Sequence, residues 1–183
     1  MVTFGGKFHG MSELALLERF INTLEVDTVA DAVGTPGQLA GWIKAEGLGE
    51  VAVDAAAHAR TLALREALRG LAAANNGGSL YPVDLATLNR AAAETGLRPR
   101  FGRAGPRLEP AATGLDAVLG RLVAAVYGAM ADGSWERLKA CADSSCRWAF
   151  VDESRNGRRT WCSMKTCGNR NKVNRFRERA RRI

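Results

Sequence analysis

Apolar side chains recur every three or four residues in five separate segments of the chain, the spacing that places them along one face of a helix. Breaks rich in glycine, proline or asparagine separate these segments. We expect the apolar faces to pack against one another, with Leu17, Phe20 and Leu122 buried and with Leu85 and Met130 also turned inward. The pattern therefore predicts a bundle of five helices.

Residues that favour helix starts and stops mark the ends of these segments. Ser12 is expected to cap the first helix, and Thr35 followed by Pro36 marks the start of the second. The third is predicted from Val53 to Ala74, the fourth from Pro82 to Gly96 and the fifth from Leu115 to Ala131. Residues 1–10 are glycine-rich with spaced aromatics and are expected to form an arm or a short edge strand.

Two stretches interrupt the helical pattern. Residues 97–113 mix glycines and prolines with four arginines, which predicts an irregular hairpin or loop. Residues 135–140 are predicted to form a short helix. The fold class is therefore mainly α, with a helical domain over 1–133 and a small second unit over 134–183. Because so few residues join them, the two units are expected to be coupled directly.

All four cysteines of the chain lie in the second unit, in two pairs with the spacing Cys-x4-Cys: Cys141 with Cys146, and Cys162 with Cys167. Two such pairs can supply the four corners of a tetrahedral Zn2+ site. Disulfides suit small secreted chains, and no secretion signal is evident at the amino terminus. Because a catalytic zinc keeps one position open, four thiolates predict a single structural Zn2+.

The segments around the cysteines predict a treble-like zinc finger made of a β-hairpin and a helix. Residues 147–152 alternate like a strand, and Asn156-Gly157 is a strong hairpin turn that would return the second cysteine pair to the first. Gly168 permits a turn directly after the last thiol, and a helix is predicted from Asn169 onward.

Positive charge is concentrated in this second unit. Residues 141–183 contain twelve lysines and arginines against four acidic residues, a net charge of +8, which leaves −1 for residues 1–140. Such a concentration indicates a polyanionic partner, and nucleic acid fits best. A basic helix on a membrane surface is the competing interpretation, and a solvated tail without a partner is the simplest one.

The carboxy-terminal helix carries the predicted nucleic-acid contacts. These are Arg170, Lys172, Asn174, Arg175, Arg177, Arg179, Arg181 and Arg182. Arg170 and Asn174 have side chains able to read base edges, whereas the other cations suit phosphates. Arg170 has a rival role, since it and Asn169 could instead bond thiolates or carbonyls and lock the finger. For Asn169 we favour the locking role.

The apolar residues of the same helix decide which nucleic acid we expect. Val173, Phe176, Ala180 and Ile183 form a narrow stripe, predicted to dock on Trp148, Phe150 or Trp161. With the aromatics of the finger used in its own core, no platform remains for unstacked bases, so double-stranded DNA is favoured over RNA.

Two sets of residues resemble known families. The first set resembles the CGNR zinc finger and consists of Cys141, Cys146, Phe150, Asp152, Ser154, Arg158-Arg159, Trp161-Cys162-Ser163-Met164, Cys167-Gly168-Asn169-Arg170 and Lys172. Leu17-Glu-Arg-Phe20-Ile-Asn22-Thr23, with Thr35-Pro36 and Leu39-Ala-Gly-Trp42, is similar to the ABATE domain of bacterial stress-response transcription regulators. That pattern usually has an acidic residue directly before the Phe, where this chain has Arg19. The resemblance implies a cytoplasmic, nucleoid-associated transcription regulator.

Other functions receive less support from the residues. No phosphate-binding glycine loop, nucleophile elbow or paired carboxylates are found, so no enzymatic activity is expected. No membrane-spanning segment is expected either. The helical domain is expected to bind a small anionic effector, through the arginines of 97–107 with His58, Arg60 and Arg65, or to form a homodimer. The alternative function is a zinc-finger interaction protein that binds RNA or an acidic protein.

The cysteine spacing yields a first test. Because metal binding supplies the folding energy of a small zinc module, Cys162→Ser should unfold the finger while most of the helix signal in circular dichroism remains. The unchanged protein, purified without chelator, should contain one zinc per chain by metal analysis. A native disulfide, or the absence of zinc, would contradict the prediction.

Overall fold

A computed structural model describes residues 9–103 and 105–181 of the chain. Its amino-terminal part contains five helices: α1 (His9–Ile21), α2 (Pro36–Ala45), α3 (Ala55–Ala74), α4 (Pro82–Thr95) and α5 (Gly114–Asp132). Two antiparallel two-stranded sheets accompany them, β1 (Leu24–Glu25) with β2 (Ala30–Asp31) and β3 (Leu97–Gly102) with β4 (Gly105–Pro110). The predicted arm over residues 1–8 lies outside the described residues.

The carboxy-terminal part is smaller and mixed. It begins with a 3-10 turn (Ser134–Arg137), followed by strands β5 (Leu138–Ala140) and β6 (Ala149–Val151). A short π-helical turn (Met164–Gly168) then leads directly into α6 (Asn169–Ala180). The predicted class, mainly α with a small strand-containing finger, is confirmed.

Local signals account for the boundaries of α2 to α5. The Thr35 hydroxyl accepts a hydrogen bond from Gln38 N (3.2 Å), and the Asp54 carboxylate accepts one from Ala57 N (2.8 Å). Gly96 and Gly133 end α4 and α5 with φ of 58° and 78°. The prediction for α1 was wrong, because the helix begins at His9 and Ser12 lies inside it. The residues before Ser12 contain no proline, so nothing prevents the helix from extending by a turn.

The core of the bundle is built around α5, which packs against α1 and α4. Leu17, Phe20 and Leu122 are buried as expected. Leu85 and Met130 are 37% and 45% exposed, so their prediction was wrong. Both lie at the edge of an apolar stripe, where spacing alone cannot tell which residues a neighbouring helix will cover.

Helix α5 has the length and composition of a membrane-spanning segment. Half of it is buried inside the protein, and its buried residues, such as Val118 and Ala129, face the other helices. The core helix of a globular bundle has the same composition.

The stretch 97–113 is more regular than expected. Strands β3 and β4 pair over six positions, from Leu97 opposite Pro110 to Gly102 opposite Gly105. Proline is tolerated because both strands of a two-stranded ribbon have a free edge, where no hydrogen bond is lost. The ribbon leans on α5 through Pro110, and a Cβ at Gly120 would lie only 2.5 Å from the Cβ of that proline.

The hairpin of the finger differs from the predicted one. Strand β6 pairs with β5, ahead of the first cysteine pair, and not with a segment after Asn156-Gly157. That dipeptide does form a turn, in which Gly157 N donates to Ser154 O (3.1 Å), but no strand follows it. The helix predicted over 135–140 is likewise a single turn followed by a strand. An extended β5 is favoured because it buries Leu138 and Ala140 in the bundle core.

Three asparagine side chains attach the finger hairpin to the bundle. Asn22 donates to Ala149 O (2.9 Å) and accepts from Ala149 N (2.8 Å), so it pairs with the free edge of β6 as a neighbouring strand would. Asn75 donates to the carbonyls of Trp135 and Leu138, and Asn76 to those of Ala140 and Thr160. Because one core continues across the junction, the division at 133/134 stays a prediction.

A buried arginine adds a further connection. The Arg69 side chain is fully buried and donates to Ile21 O (2.6 Å), Leu24 O (3.2 Å) and Arg147 O (3.1 Å). Arg147 has a φ of 50°, a conformation that residues other than glycine rarely adopt. One guanidinium thus joins α3, the end of α1 and the first cysteine loop.

Replacing Arg69 tests how much this connection contributes. Arg69→Met should lower the free energy of unfolding of the zinc-loaded protein by about 3 kcal/mol or more, because three carbonyls lose a buried donor. Arg60→Met on the same helix is the control. Its surface ion pairs with Glu94 and Asp116 should contribute no more than about 1 kcal/mol. Equal losses in urea denaturation would contradict the assignment.

Candidate metal centre and nucleic-acid interface

The four cysteine sulfurs converge on one point. All of them lie within 4.8 Å of one another, with Cys146 Sγ 3.6 Å and Cys167 Sγ 3.7 Å from Cys162 Sγ. Sulfurs around a tetrahedral Zn2+, at Zn–S distances of about 2.3 Å, are about 3.8 Å apart. Disulfide sulfurs would be about 2.05 Å apart. The spacing therefore fits four free thiols around one zinc ion.

Backbone hydrogen bonds bring the two cysteine pairs together. Cys141 follows β5, and its N–H donates to Trp148 O (2.8 Å), which closes the first cysteine loop. Ala142 N donates to Thr160 O (3.2 Å), and this bond aligns the approach to the second pair with the first. Ser163 caps the π-helical turn through its hydroxyl, which accepts from Thr166 N. Backbone bonds around both pairs thus position the thiols.

The chemistry of the donor set also favours a bound cation. Burial and the neighbouring Cys146 thiol raise the pKa of the Cys167 thiol to about 11. Burial likewise raises the pKa of Cys162. Four adjacent thiols cannot ionise together without a compensating charge, which a divalent metal provides. With only thiolate ligands and no open position, the site holds one structural Zn2+.

A buried carboxylate joins the first cysteine loop to the start of α6. Asp143 Oδ1 accepts from Ser145 N (3.1 Å) and Ser145 Oγ (2.7 Å). Its Oδ2 accepts from Arg170 Nε (2.7 Å) and Asn171 Nδ2 (2.7 Å). Burial alone would raise the pKa of Asp143, but the bonds from Ser145 and Arg170 outweigh it and lower that pKa. Asp143 and the loop between Cys141 and Cys146 therefore orient α6.

Asp143 and Asn171 were not among the predicted site residues. The signal for Asp143 was local, since an Asp two residues before a Ser favours a turn in which the carboxylate accepts from the backbone. No local signal existed for its pairing with Asn171, which lies 28 residues further along the chain.

Arg170 makes the contacts expected if it locks the finger and does not read bases. In addition to Asp143, its guanidinium donates to Cys167 Sγ at 3.6 Å. Asn169 donates to Lys165 O (3.1 Å), a carbonyl inside the second cysteine loop, and not to a thiolate. The base-reading role of Arg170 and the locking role of Asn169 stay predictions.

The other predicted contacts cover α6 on all sides. Lys172, Asn174, Arg175, Arg177, Arg179 and Arg181 are all exposed, whereas Arg182 lies outside the described residues. Within the part of the chain that the structure describes, α6 has no buried residue. The helix therefore projects from the zinc site with its cations accessible.

The predicted docking of the apolar stripe was wrong. Val173 is 46% and Phe176 73% exposed; Ile183 lies outside the described residues. The small core of the finger is already formed by the cysteines with Trp148 and Trp161. Phe150 is covered by the Arg159 guanidinium, 4.7 Å from the ring centroid. Because Phe176 is exposed, the expectation that the finger leaves no aromatic platform exposed was also wrong.

A second buried ion pair supports the path between the cysteine pairs. Lys139 Nζ lies 2.8 Å from Asp152 Oδ2, and both side chains are buried. Asp152 also accepts from Ser154 and from Arg159 N. Burial would raise the pKa of Asp152, but these donors, with Lys139 first among them, lower it well below its ordinary value. The pair fixes the loop after β6.

Three of the basic residues expected to bind an anionic effector have other partners. Arg60 pairs with Glu94 and Asp116, and Arg65 with Asp31. His58 Nε2 lies 2.7 Å from Val33 O, a structural contact. An anion at these three residues would have to displace these groups, and the effector site stays a prediction.

Comparison with known families gives two matches. The sequence model of the CGNR zinc finger matches residues 137–180, and the ABATE model, described as a putative stress-induced transcription regulator, matches residues 14–133. No curated protein matches the chain. Both resemblances read from the sequence are confirmed.

The carboxylate that links the cysteine loop to α6 gives a test of this site. Asp143→Ala should lower zinc affinity about 10- to 100-fold, because Arg170 and Asn171 lose the group that orients them around Cys167. Glu153→Ala, which removes an exposed carboxylate from the same finger, is the control. Zinc affinity is measured by titration with a chromogenic chelator. If both variants release zinc at the same chelator concentration, Asp143 does not support metal binding.

Proposed function

The chain belongs to the ABATE family, and we propose that this zinc-binding regulator acts by binding double-stranded DNA through α6. The observation that carries the proposal is that, among the residues the structure describes, the cations of α6 beyond Arg170 have no ion-pair partners. Within the described residues, none of Lys172, Arg175, Arg177, Arg179 and Arg181 forms an ion pair. In the bundle, by contrast, Arg60, Arg65 and Arg69 all pair with carboxylates.

Unpaired, exposed cations on one helix favour a polyanion as the partner. Phosphate contacts release condensed counterions from DNA, which makes such binding favourable and dependent on salt. A helix of 12 residues is about 18 Å long, and the major groove, about 12 Å wide, admits a helix. The zinc site and Asp143 hold the amino-terminal end of α6, so the helix can enter as a rigid element.

The attachment of the finger suggests how the bundle would influence binding. Asn22, Asn75, Asn76 and Arg69 fix the finger hairpin to α1 and α3. A shift of these helices would therefore move α6 as a body. We propose that dimerisation of the bundle, or a stress signal bound there, acts on DNA binding by this route, in the bacterial cytoplasm at the nucleoid.

Salt dependence tests the DNA-binding proposal. If α6 neutralises about five phosphates, log K measured by fluorescence anisotropy should fall with log salt with a slope near −4.5, or about 0.9 per phosphate. Arg175→Ala and Arg177→Ala should each reduce the slope by about one.

Arg60→Ala is the matched control, since this arginine is exposed but paired and lies on the bundle. Its slope should equal that of the unchanged protein. Binding that does not respond to salt, or an equal effect of all three substitutions, would contradict the proposal.

A further inference from the structure

A groove runs beside α6, between the helix and the π-helical turn. Its volume is about 470 Å³, within the range of about 300–1,000 Å³ typical of small-ligand sites. Trp161, Met164 and Phe176 give it an apolar lining, and the cations Lys172, Arg175 and Arg179 also border it. An exposed apolar surface and positive charge are thus combined in one concave site.

The packing of the groove depends on Gly168. A Cβ at this position would lie 2.8 Å from Met164 Sδ, so that the end of this flexible side chain would have to shift, and in tight contact, 3.2 Å, with Trp161 Cδ1. The φ of Gly168 is −61°, which any residue can adopt. The absence of a side chain at Gly168 therefore allows the close approach of Met164 and Trp161, and the backbone conformation does not depend on glycine.

Charge complementarity indicates the occupant. Phe176 is 73% and Met164 65% exposed, although the helix that carries Phe176 is otherwise strongly basic. A partner for this site must offer a flat apolar surface with negative charge beside it. A nucleotide combines the two, since its base can stack on an aromatic ring while its phosphates contact Lys and Arg. A membrane surface fits less well, because the described apolar face of α6 is limited to Val173, Phe176 and Ala180.

We propose that this groove binds one unpaired base, stacked on Phe176 and Trp161, while Lys172, Arg175 and Arg179 hold the adjoining phosphates. The inference rests on the proposed DNA binding and adds a preference within it. The finger should bind DNA with an extruded or bulged base more tightly than a continuous duplex.

Three DNA hairpins of one sequence, each closed by a linker without bases so that the loop offers no free base, separate base stacking from backbone flexibility. The first has a continuous stem, the second a single bulged thymine and the third a bulged abasic residue in the same place. With the zinc-loaded full chain, anisotropy should show about ten-fold tighter binding to the bulged thymine than to the abasic bulge. Equal affinity for these two would overturn the inference.

Substitutions at Phe176 test whether the groove causes the preference for the bulged thymine. Phe176→Ala should abolish the preference for the bulged thymine and leave affinity for the continuous stem within about two-fold, since stacking contributes only where a base is free. Phe176→Trp should retain the preference. Phe101→Ala is the control, because Phe101 is 79% exposed on the β3–β4 ribbon of the bundle, and it should change neither affinity.

The remaining outcomes distinguish the two proposals. Salt-dependent binding to all three hairpins without a preference would overturn the groove assignment and leave DNA binding in place. If Phe176→Ala loses affinity for the continuous stem, Phe176 contacts paired DNA, and this result would also overturn the groove assignment. No salt-dependent binding to any hairpin would overturn the DNA-binding proposal itself.

Discussion

The convergence of four thiols on one cation organises the carboxy-terminal part of the chain. Within the described residues, α6 buries no side chain of its own, so apolar packing cannot hold it in place. Apparent binding free energies of structural zinc are about 10–16 kcal/mol, far more than the few hydrogen bonds of this segment can provide. Asp143 carries the constraint into the helix, because it is held by the first cysteine loop and in turn holds Arg170 and Asn171.

The finger contacts the bundle through apolar side chains in a shared core and through bundle side chains that bond the backbone of the finger. Strands β5 and β6 are too short to be stable alone, and Leu138, Ala140 and Ala149 complete the bundle core. The side chains of Asn22, Asn75, Asn76 and Arg69 satisfy carbonyls and one N–H that would otherwise be buried without partners. Bonds of this kind are directional, so they determine the orientation of the finger as well as its attachment.

The distribution of ion pairs separates structural cations from available ones. Arg60 and Arg65 of the bundle are engaged by carboxylates, and Lys139 with Asp152 and Arg170 with Asp143 are examples at the base of the finger. Beyond Arg170, the described cations of α6 face solvent. Net charge alone does not show this difference, since a paired and an unpaired cation each count as one positive charge. The exposed Phe176 adds an apolar element to the same surface.

Features that depend on nearby residues were determined by the sequence itself. The ends of α2 to α5 follow from caps, prolines and glycines within a few residues, and two Cys-x4-Cys pairs specify the zinc ligands because each pair spans one turn. Charge is a sum over residues and needs no structure. Tertiary structure alone decided the rest: that β6 pairs with the strand before Cys141, that Asp143 meets Asn171, and that Phe176 stays exposed. Each of these depends on groups distant in the chain competing for one partner or one space, and residue spacing carries no information about that competition.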